Sequence, residues 1–455
     1  MKLLKLLIKR GYAMSRFTTF LKFFIPSVIG IFMFLVPLKI DGETTVPVAF
    51  LADVIINFIT LDMIILLTVA AIVLSALLSI IYSWIIKSGS GFMHDVFNTT
   101  NFWVILRTIG AVFAVLAYIQ VGSEMIISEN TGGMILNDLL PTLFTVFIIA
   151  GFFLPLLLNY GLLEFIGTLF AKVMRPLFTL PGRSTVDNLA SWVGDGTVGV
   201  ILTSKQYEDG YYSKREASVI ASTFSVVSIT FTIVILDLIG LMHMFGPFYI
   251  TIIVSGIIAA LIMPRIPPLS RIEDTYYNEG SVLEETVPDS HNPLSWGYKK
   301  AMDKAEASPG PLPLIKEGIK TVFDTWFGVL PIVMAIGTLG TILAEYTPIF
   351  SWIGAPFVPL LELVGIPEAQ AMSETMFIGF TDMFLPAILI ESVQSEMTRF
   401  IVGAMSITQL IYLSEVGGVI LGSKIPLGLG KLFVIFLIRT AITLPIVIVA
   451  AHIIF

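Results

Sequence analysis

Nine stretches of this sequence run for about twenty residues with scarcely a charge, long enough for each to cross a bilayer as a helix. They lie near 20–38, 62–86, 101–121, 139–158, 217–240, 246–263, 321–343, 399–420 and 432–454. Within hydrocarbon every backbone N–H and C=O must find its partner inside the protein, so such segments fold as helices. The expected fold class is therefore all-α, a polytopic membrane protein. Composition agrees: 56% of the 455 residues are hydrophobic and 13% charged, against roughly 25% charged in ordinary soluble domains. A mean hydropathy of +0.92 is too high to come from a single signal or anchor.

The weaker segments add detail. Two apolar pieces, 161–179 and 349–365, hold internal Pro, Gly or charge and read as short or surface-lying; with them the expected count is about 9–11 transmembrane helices. Segment 46–60 is amphipathic and suits the interface. Residues 264–320 are rich in Pro, Gly and charge and read as a cytoplasmic linker, with a basic amphipathic helix near Tyr298–Ala307. Lys2, Lys5, Lys9, Arg10 and Arg16 place the N-terminus inside, whether as a membrane-surface segment or as sequence upstream of a start at Met14. The loop 123–133 has neither Lys nor Arg and falls outside.

Much chemistry is excluded at once. With no Cys there is no disulfide, thiolate metal site or cysteine nucleophile. The four His residues (His94, His243, His291 and His452) have no metal-ligand spacing. GDGTVG (194–199) matches GxGxxG in letters but lacks the strand and βαβ context of a dinucleotide site. There is no GxxxxGK[ST], no nucleophile–base arrangement and no basic face for nucleic acid. No enzyme activity, metal or cofactor is expected.

Sliding the chain on itself gives a recurrent offset of about 187 residues: Gly167 falls on Gly354, Asp187 on Glu374 and Asp195 on Asp382. Two segments too short and too polar to cross comfortably, 186–203 and 371–390, thus carry acids eight residues apart in one register. Basic residues (Lys172, Arg175, Arg183, Lys205) flank the first and acids (Glu345, Glu362, Glu368, Glu391, Glu396) the second, which reads as an inverted repeat. The division is then 1–138 N-terminal helices, 139–263 first repeat, 264–320 linker and 321–455 second repeat. In secondary transporters such repeats place re-entrant, broken helices near the midplane, where their ends meet solute and ion.

These two hairpins are the expected site. Asp187, Asn188 and Ser191 in the first, and Ser373, Glu374 and Thr375 in the second, are the candidate solute contacts, with Gln409 from the neighbouring span. Asp195, Thr197, Thr381 and Asp382 are the candidate ion-coupling groups. An acid inside lipid costs about 2.5–3.5 kcal/mol on insertion scales, so its presence implies a use. The alternative for these acids is helix capping at the interface. Ser222, Ser225 and Ser228 at helical spacing serve equally as packing, and Asp237 reads as a snorkelling acid at a span end.

The stretches GRSTVDNLASWVGDGTVGVIL (182–202) and MSETMFIGFTDMFLPAILI (372–390) resemble the nucleoside-recognition, or Gate, domain. The chain as a whole is similar to the bacterial YjiH-type membrane proteins, and distantly to concentrative nucleoside transporters and spore maturation proteins A and B. The resemblance implies a multi-pass protein of the cytoplasmic (inner) membrane, with two hairpins and unwound helices forming a solute site. It implies alternating-access transport of a small polar solute, a nucleoside or related metabolite, with Na⁺ or H⁺ as coupling ion. The competing reading is a non-transporting membrane factor or channel component. Expected partners are the lipid bilayer, the solute and, left open, a second copy of the chain, but no nucleic acid.

Overall fold

The computed structural model describes residues 16–36, 38–40, 43–86, 89–193, 196–224, 229–277, 287–288, 291–308 and 310–455. The basic segment 1–15 and Asp195 lie outside them. The protein is all-α, and seven helical stretches among the described residues are long and apolar enough to cross a membrane. These are Arg16–Leu35, Leu61–Ile86, Asn101–Ile119, Glu124–Leu158, Met242–Arg271, Leu312–Tyr346 and Leu429–Ile454. It is a multi-pass membrane protein.

In chain order, α1 is Arg16–Leu35, followed by a small antiparallel pair β1 (Leu38–Ile40) and β2 (Glu43–Thr45). Then come α2 (Pro47–Ile59), α3 (Leu61–Ile80), α4 (Asn101–Ile119) and α5 (Leu140–Leu158). Around the first short polar segment lie α6 (Leu162–Phe178), α7 (Ser184–Val193) and α8 (Gly196–Glu208). Next are α9 (Lys214–Val219), α10 (Ile229–Leu238), α11 (Phe245–Ile262) and α12 (Pro293–Ala307). The rest comprises α13 (Pro311–Gly328), α14 (Leu330–Tyr346), α15 (Ala369–Ile378), α16 (Phe384–Ile390), α17 (Glu396–Thr408), α18 (Val416–Gly422) and α19 (Leu429–Ile454).

Two sets of helices result. α13 packs along α5, and α4 lies between α3 and α14, whereas α11, α17 and α19 pack on one another. Lipid tails are as apolar as the helices, so close packing rather than hydrophobicity holds such helices together, and small residues mark the contacts. A Cβ on Gly110 of α4 would fall 2.0 Å from the Pro331 carbonyl of α14. One on Gly151 of α5 would fall 2.5 Å from Val322 of α13. Nearby, Trp326 stacks on Phe144 at 4.1 Å and donates its indole N–H to the Phe144 carbonyl at 3.0 Å. The linker helix α12 extends the expected 298–307 segment and buries Ala301 and Ala305 against Phe23 of α1. α2, the amphipathic segment, runs along α5.

Of the segments expected as unbroken spans, 399–420 is interrupted and 217–240 departs from a regular α-helix. Segment 217–240 divides into α9, a widened turn Ile220–Phe224 and α10; residues 225–228, with Ser225 and Ser228, lie outside the described residues. Segment 399–420 divides into α17, a non-helical stretch 409–415 and α18. Hydropathy could not reveal this, because it depends on side chains that bond backbone carbonyls, one from within the same segment and one from α19. The Tyr412 hydroxyl donates to the Ser406 and Ile407 carbonyls at 2.6 and 2.8 Å. From α19, Arg439 Nε donates to the Thr408 carbonyl and Nη1 to the Thr223 carbonyl at 2.7 Å. One buried guanidinium therefore ties the end of α17 to the widened turn after α9 and satisfies carbonyls that lipid would leave bare.

Candidate functional site

The two short polar segments each form a pair of packed short helices, α7 with α8 and α15 with α16. In the first, Asp187 is 1% exposed and joins the pair. Its Oδ2 accepts from the Thr203 hydroxyl at 3.0 Å and its Oδ1 from the Gln206 amide at 2.6 Å. Gln206 in turn accepts from Arg183 Nε at 2.7 Å, and the Arg183 guanidinium lies 3.9 Å from the Tyr211 ring centre. Ser191 is buried against Gly199, where a Cβ would fall 1.7 Å from its hydroxyl oxygen. Thr197 is fully buried. Asn188 is 6% exposed, and neither of its side-chain amide atoms has a hydrogen-bond partner among the described residues.

In the second pair, Ser373, Thr375 and Thr381 are buried and donate to the carbonyls of Gln370, Met372 and Ile378, each three residues back. Glu374 is half-buried and accepts from the Gln370 amide at 2.8 Å. Gln409 donates to the Met376 carbonyl at 2.7 Å and to the Thr440 hydroxyl at 3.0 Å, tying the non-helical stretch to α15 and α19. Asp382 is the most connected. Its Oδ1 accepts from the backbone N–H groups of Phe384 and Leu385 at 2.7 and 3.2 Å, capping α16. Its Oδ2 accepts from the Ser414 hydroxyl at 2.8 Å. The backbone joins in as well, with Leu413 and Ser414 N–H donating to the Phe380 and Thr381 carbonyls, both at 2.9 Å.

Asp382 and Ser414 open onto a cavity of about 530 Å³. Its other polar groups are Asp138, Thr142, Asp237 and Glu415, and Leu139, Val234, Phe384 and Ile388 supply apolar wall. The volume lies within the range of small-molecule sites. Of the residues singled out from sequence, Asp382 lines this cavity, whereas Asp187 and Glu374 line neither it nor the cleft described next. Asp237, read above as a snorkelling acid, faces the cavity.

A second opening of about 110 Å³ lies between α4, α8, α13 and the α18–α19 link. It is lined by Arg107, Lys205, Glu208, Glu317, Lys320, Asp324 and Lys424. The sequence reading passed over this cleft. The signal was there, in Arg107 within WVILRTIG and Asp324 within TVFDTWF, ionisable groups inside apolar runs that should be read as functional. One element separates the two openings. Glu415, just before α18, faces the larger cavity, while Val419, Gly422 and Lys424 face the cleft. The seven residues of α18 span only about 10 Å.

Glu208 ends α8 beyond the candidate spans. Burial, and then the Asp324 carboxylate, push it up to about 7, opposed by Lys205, Lys424 and the Ser204 hydroxyl. A carboxyl raised on folding stabilises the fold fully below its unfolded value, about 4.5, and that contribution is lost as pH rises to about 7. Glu208→Gln is expected to flatten the fall in thermal stability across this window. Above it, the variant gains on the order of 1 kcal/mol, a figure discounted for solvent in the cleft. Unfolding temperatures measured across pH test this, and equal slopes in the two proteins would refute it.

Residues 140–242, from α5 to just past α10, match the Gate family, described as nucleoside recognition. The match takes in the α7–α8 pair and segment 217–240. A relative from Alkalihalophilus pseudofirmus, described only as an uncharacterized protein, is 48% identical over 444 residues, which cover 96% of this chain and 95% of the relative. No solved structure matches the chain.

Proposed function

Since the chain belongs to the YjiH-type membrane proteins that carry the Gate, or nucleoside recognition, domain, we propose that it is a secondary transporter of a small polar solute, a nucleoside or a related metabolite. The observation that carries this reading is the pair of openings at the two ends of α18. A short helix with non-helical backbone on one side is a thin barrier, and alternating access needs a solute site that such a barrier can uncover from either face. The larger cavity is the proposed solute site. Its carboxylates accept hydrogen bonds, and a nucleoside brings ribose O–H and base N–H donors with no anionic group to be repelled.

On this reading the α7–α8 and α15–α16 pairs are re-entrant hairpins of an inverted repeat. Support comes from Gly167 and Gly354, aligned in the repeat, each of which abuts the hairpin of its own copy. A Cβ on Gly167 would meet Arg183 at 3.1 Å, and one on Gly354 would meet the Ser373 carbonyl at 2.5 Å. Asp382 and Thr381 remain the proposed coupling groups, with Na⁺ or H⁺ as the ion, and Asn188 the first-hairpin residue with unused hydrogen-bonding capacity. On this reading the cleft, rich in Lys and Arg, is the cytoplasmic opening and the larger cavity the outer one. The competing reading, a non-transporting membrane factor, is favoured by the closed network around Asp187, which holds its hairpin shut.

The test is uptake into proteoliposomes of labelled uridine, adenosine and the free bases, with an imposed Na⁺ or pH gradient. Saturable, gradient-driven uptake of a member of the panel is expected. Absence of uptake, together with no shift in unfolding temperature by any of these solutes, would remove the transporter reading in favour of the membrane factor.

A further inference from the structure

The charged cleft poses a problem that the transport reading does not answer. Four basic and three acidic side chains converge on about 110 Å³ next to the membrane-embedded core. Charges withdrawn from bulk water are retained only where something matches them. Some of these have partners: Lys205 pairs with Asp209 at 3.2 Å, outside the lining set, Glu317 accepts from the Asn159 amide at 3.0 Å and Glu208 from the Ser204 hydroxyl at 3.2 Å. Among the described residues no ion pair joins Arg107, Lys320 or Lys424 to Glu317 or Asp324.

Arg107 is the anchor. It is 7% exposed, and its Nη1 donates to the Ser79 hydroxyl at 2.7 Å and the Val96 carbonyl at 3.1 Å, which fixes the guanidinium from behind. Its Nε has no hydrogen-bond partner. That nitrogen is itself buried, and it is as a held guanidinium lining the cleft that Arg107 suits a carboxylate or similar oxyanion.

We propose that the cleft is a binding site for a small amphoteric solute, one that carries an ammonium group and an acidic oxyanion a few bonds apart. Arg107, Lys320 and Lys424 receive the oxyanion, and Asp324, Glu317 and Glu208 receive the ammonium. A simple anion would face three carboxylates and a simple cation four basic groups, whereas a solute of both signs satisfies both walls and leaves the net charge unchanged. Size narrows the class. A cavity of about 150 Å³ accommodates benzene, so this smaller one, as it stands, suits an amino acid with little or no side chain. Because α4, α8, α13 and the α18–α19 link all line the cleft, the bound solute bridges these elements and stabilises them against separation.

The site is separate from the proposed nucleoside cavity, and its test does not depend on transport. Isothermal calorimetry on the purified full chain in detergent, with glycine, β-alanine and taurine as probes, should show saturable binding of at least one. Acetate and methylammonium, alone or mixed, should bind at least tenfold more weakly, because neither carries both charges. Lys320→Gln and Asp324→Asn should each weaken binding at least tenfold, and the unfolding temperature of each unliganded variant shows that it is folded. Binding of acetate as tight as that of β-alanine would mean a plain anion site and overturn the proposal. So would the absence of saturable heat with all three probes, or affinity unchanged in both folded variants.

Discussion

Arg439→Met is expected to lower stability by about 3 kcal/mol, well beyond what a substitution on the lipid-facing side of the same helix would do. The guanidinium is 0% exposed and donates to the carbonyls of Thr408, which ends α17, and of Thr223, in the widened turn after α9. A hydrogen bond from a charged donor contributes about 1.5–3 kcal/mol, and its loss strands the acceptor. Removing the charge recovers part of its burial cost, which keeps the net figure near the lower end of the two bonds together. Lysine should not rescue, since a single ammonium cannot reach in the two directions that the planar fork serves at once. Lys431→Met, at an exposed position near the start of α19, is the control and should stay within about 0.5 kcal/mol of the parent. Thermal unfolding in detergent reads all three. If Arg439→Met is as stable as Lys431→Met, the two carbonyls have other donors and the pinning role assigned to Arg439 is wrong.

Asp382→Ala and Asp382→Asn should part company. Alanine removes the cap of α16, about 1 kcal/mol, and the charge-assisted bond from Ser414, about 1.5 kcal/mol or more. A loss of about 2–3 kcal/mol is expected. Asparagine is as good a cap as aspartate, and its amide can donate to the Ser414 oxygen in place of the present bond. The Asn variant should therefore fold close to normally. Its uptake in the proteoliposome assay should nonetheless fall at least tenfold, because the carboxylate facing the cavity is gone. Uptake undiminished in the folded Asn variant would reduce Asp382 to the capping role that the sequence also allowed.

Both predictions concern residues whose surroundings are only partly legible in the sequence. Asp382 stood out because it lies in a short polar segment in register with Asp195, and its cap on α16 follows from its place just before an apolar helix. Its bond to Ser414 could not be foreseen, since that contact joins residues 32 apart across a break in a helix. Arg439 sits in plain view in LFVIFLIRTAITLPIV, yet its role depends on carbonyls 31 and 216 residues away. Asp187 shows the reverse: the sequence marks it as an embedded acid, while Thr203 and Gln206 of the adjoining α8 take both of its oxygens. Glu374, which falls on Asp187 at the 187-residue offset, is held by Gln370 one turn earlier and lines neither opening.

The sequence by itself determined that this is an all-α multi-pass membrane protein, because long apolar runs leave the backbone no alternative to helices. It also marked two short polar segments as different from the rest. Only the tertiary structure decided where the span 399–420 breaks, which acids reach a cavity and that a charged cleft lies across α18 from it. Helix formation is governed by bonds four residues apart and so can be read locally. A lined cavity exists only through partners that the fold brings together from distant parts of the chain, and a broken helix depends on them in part.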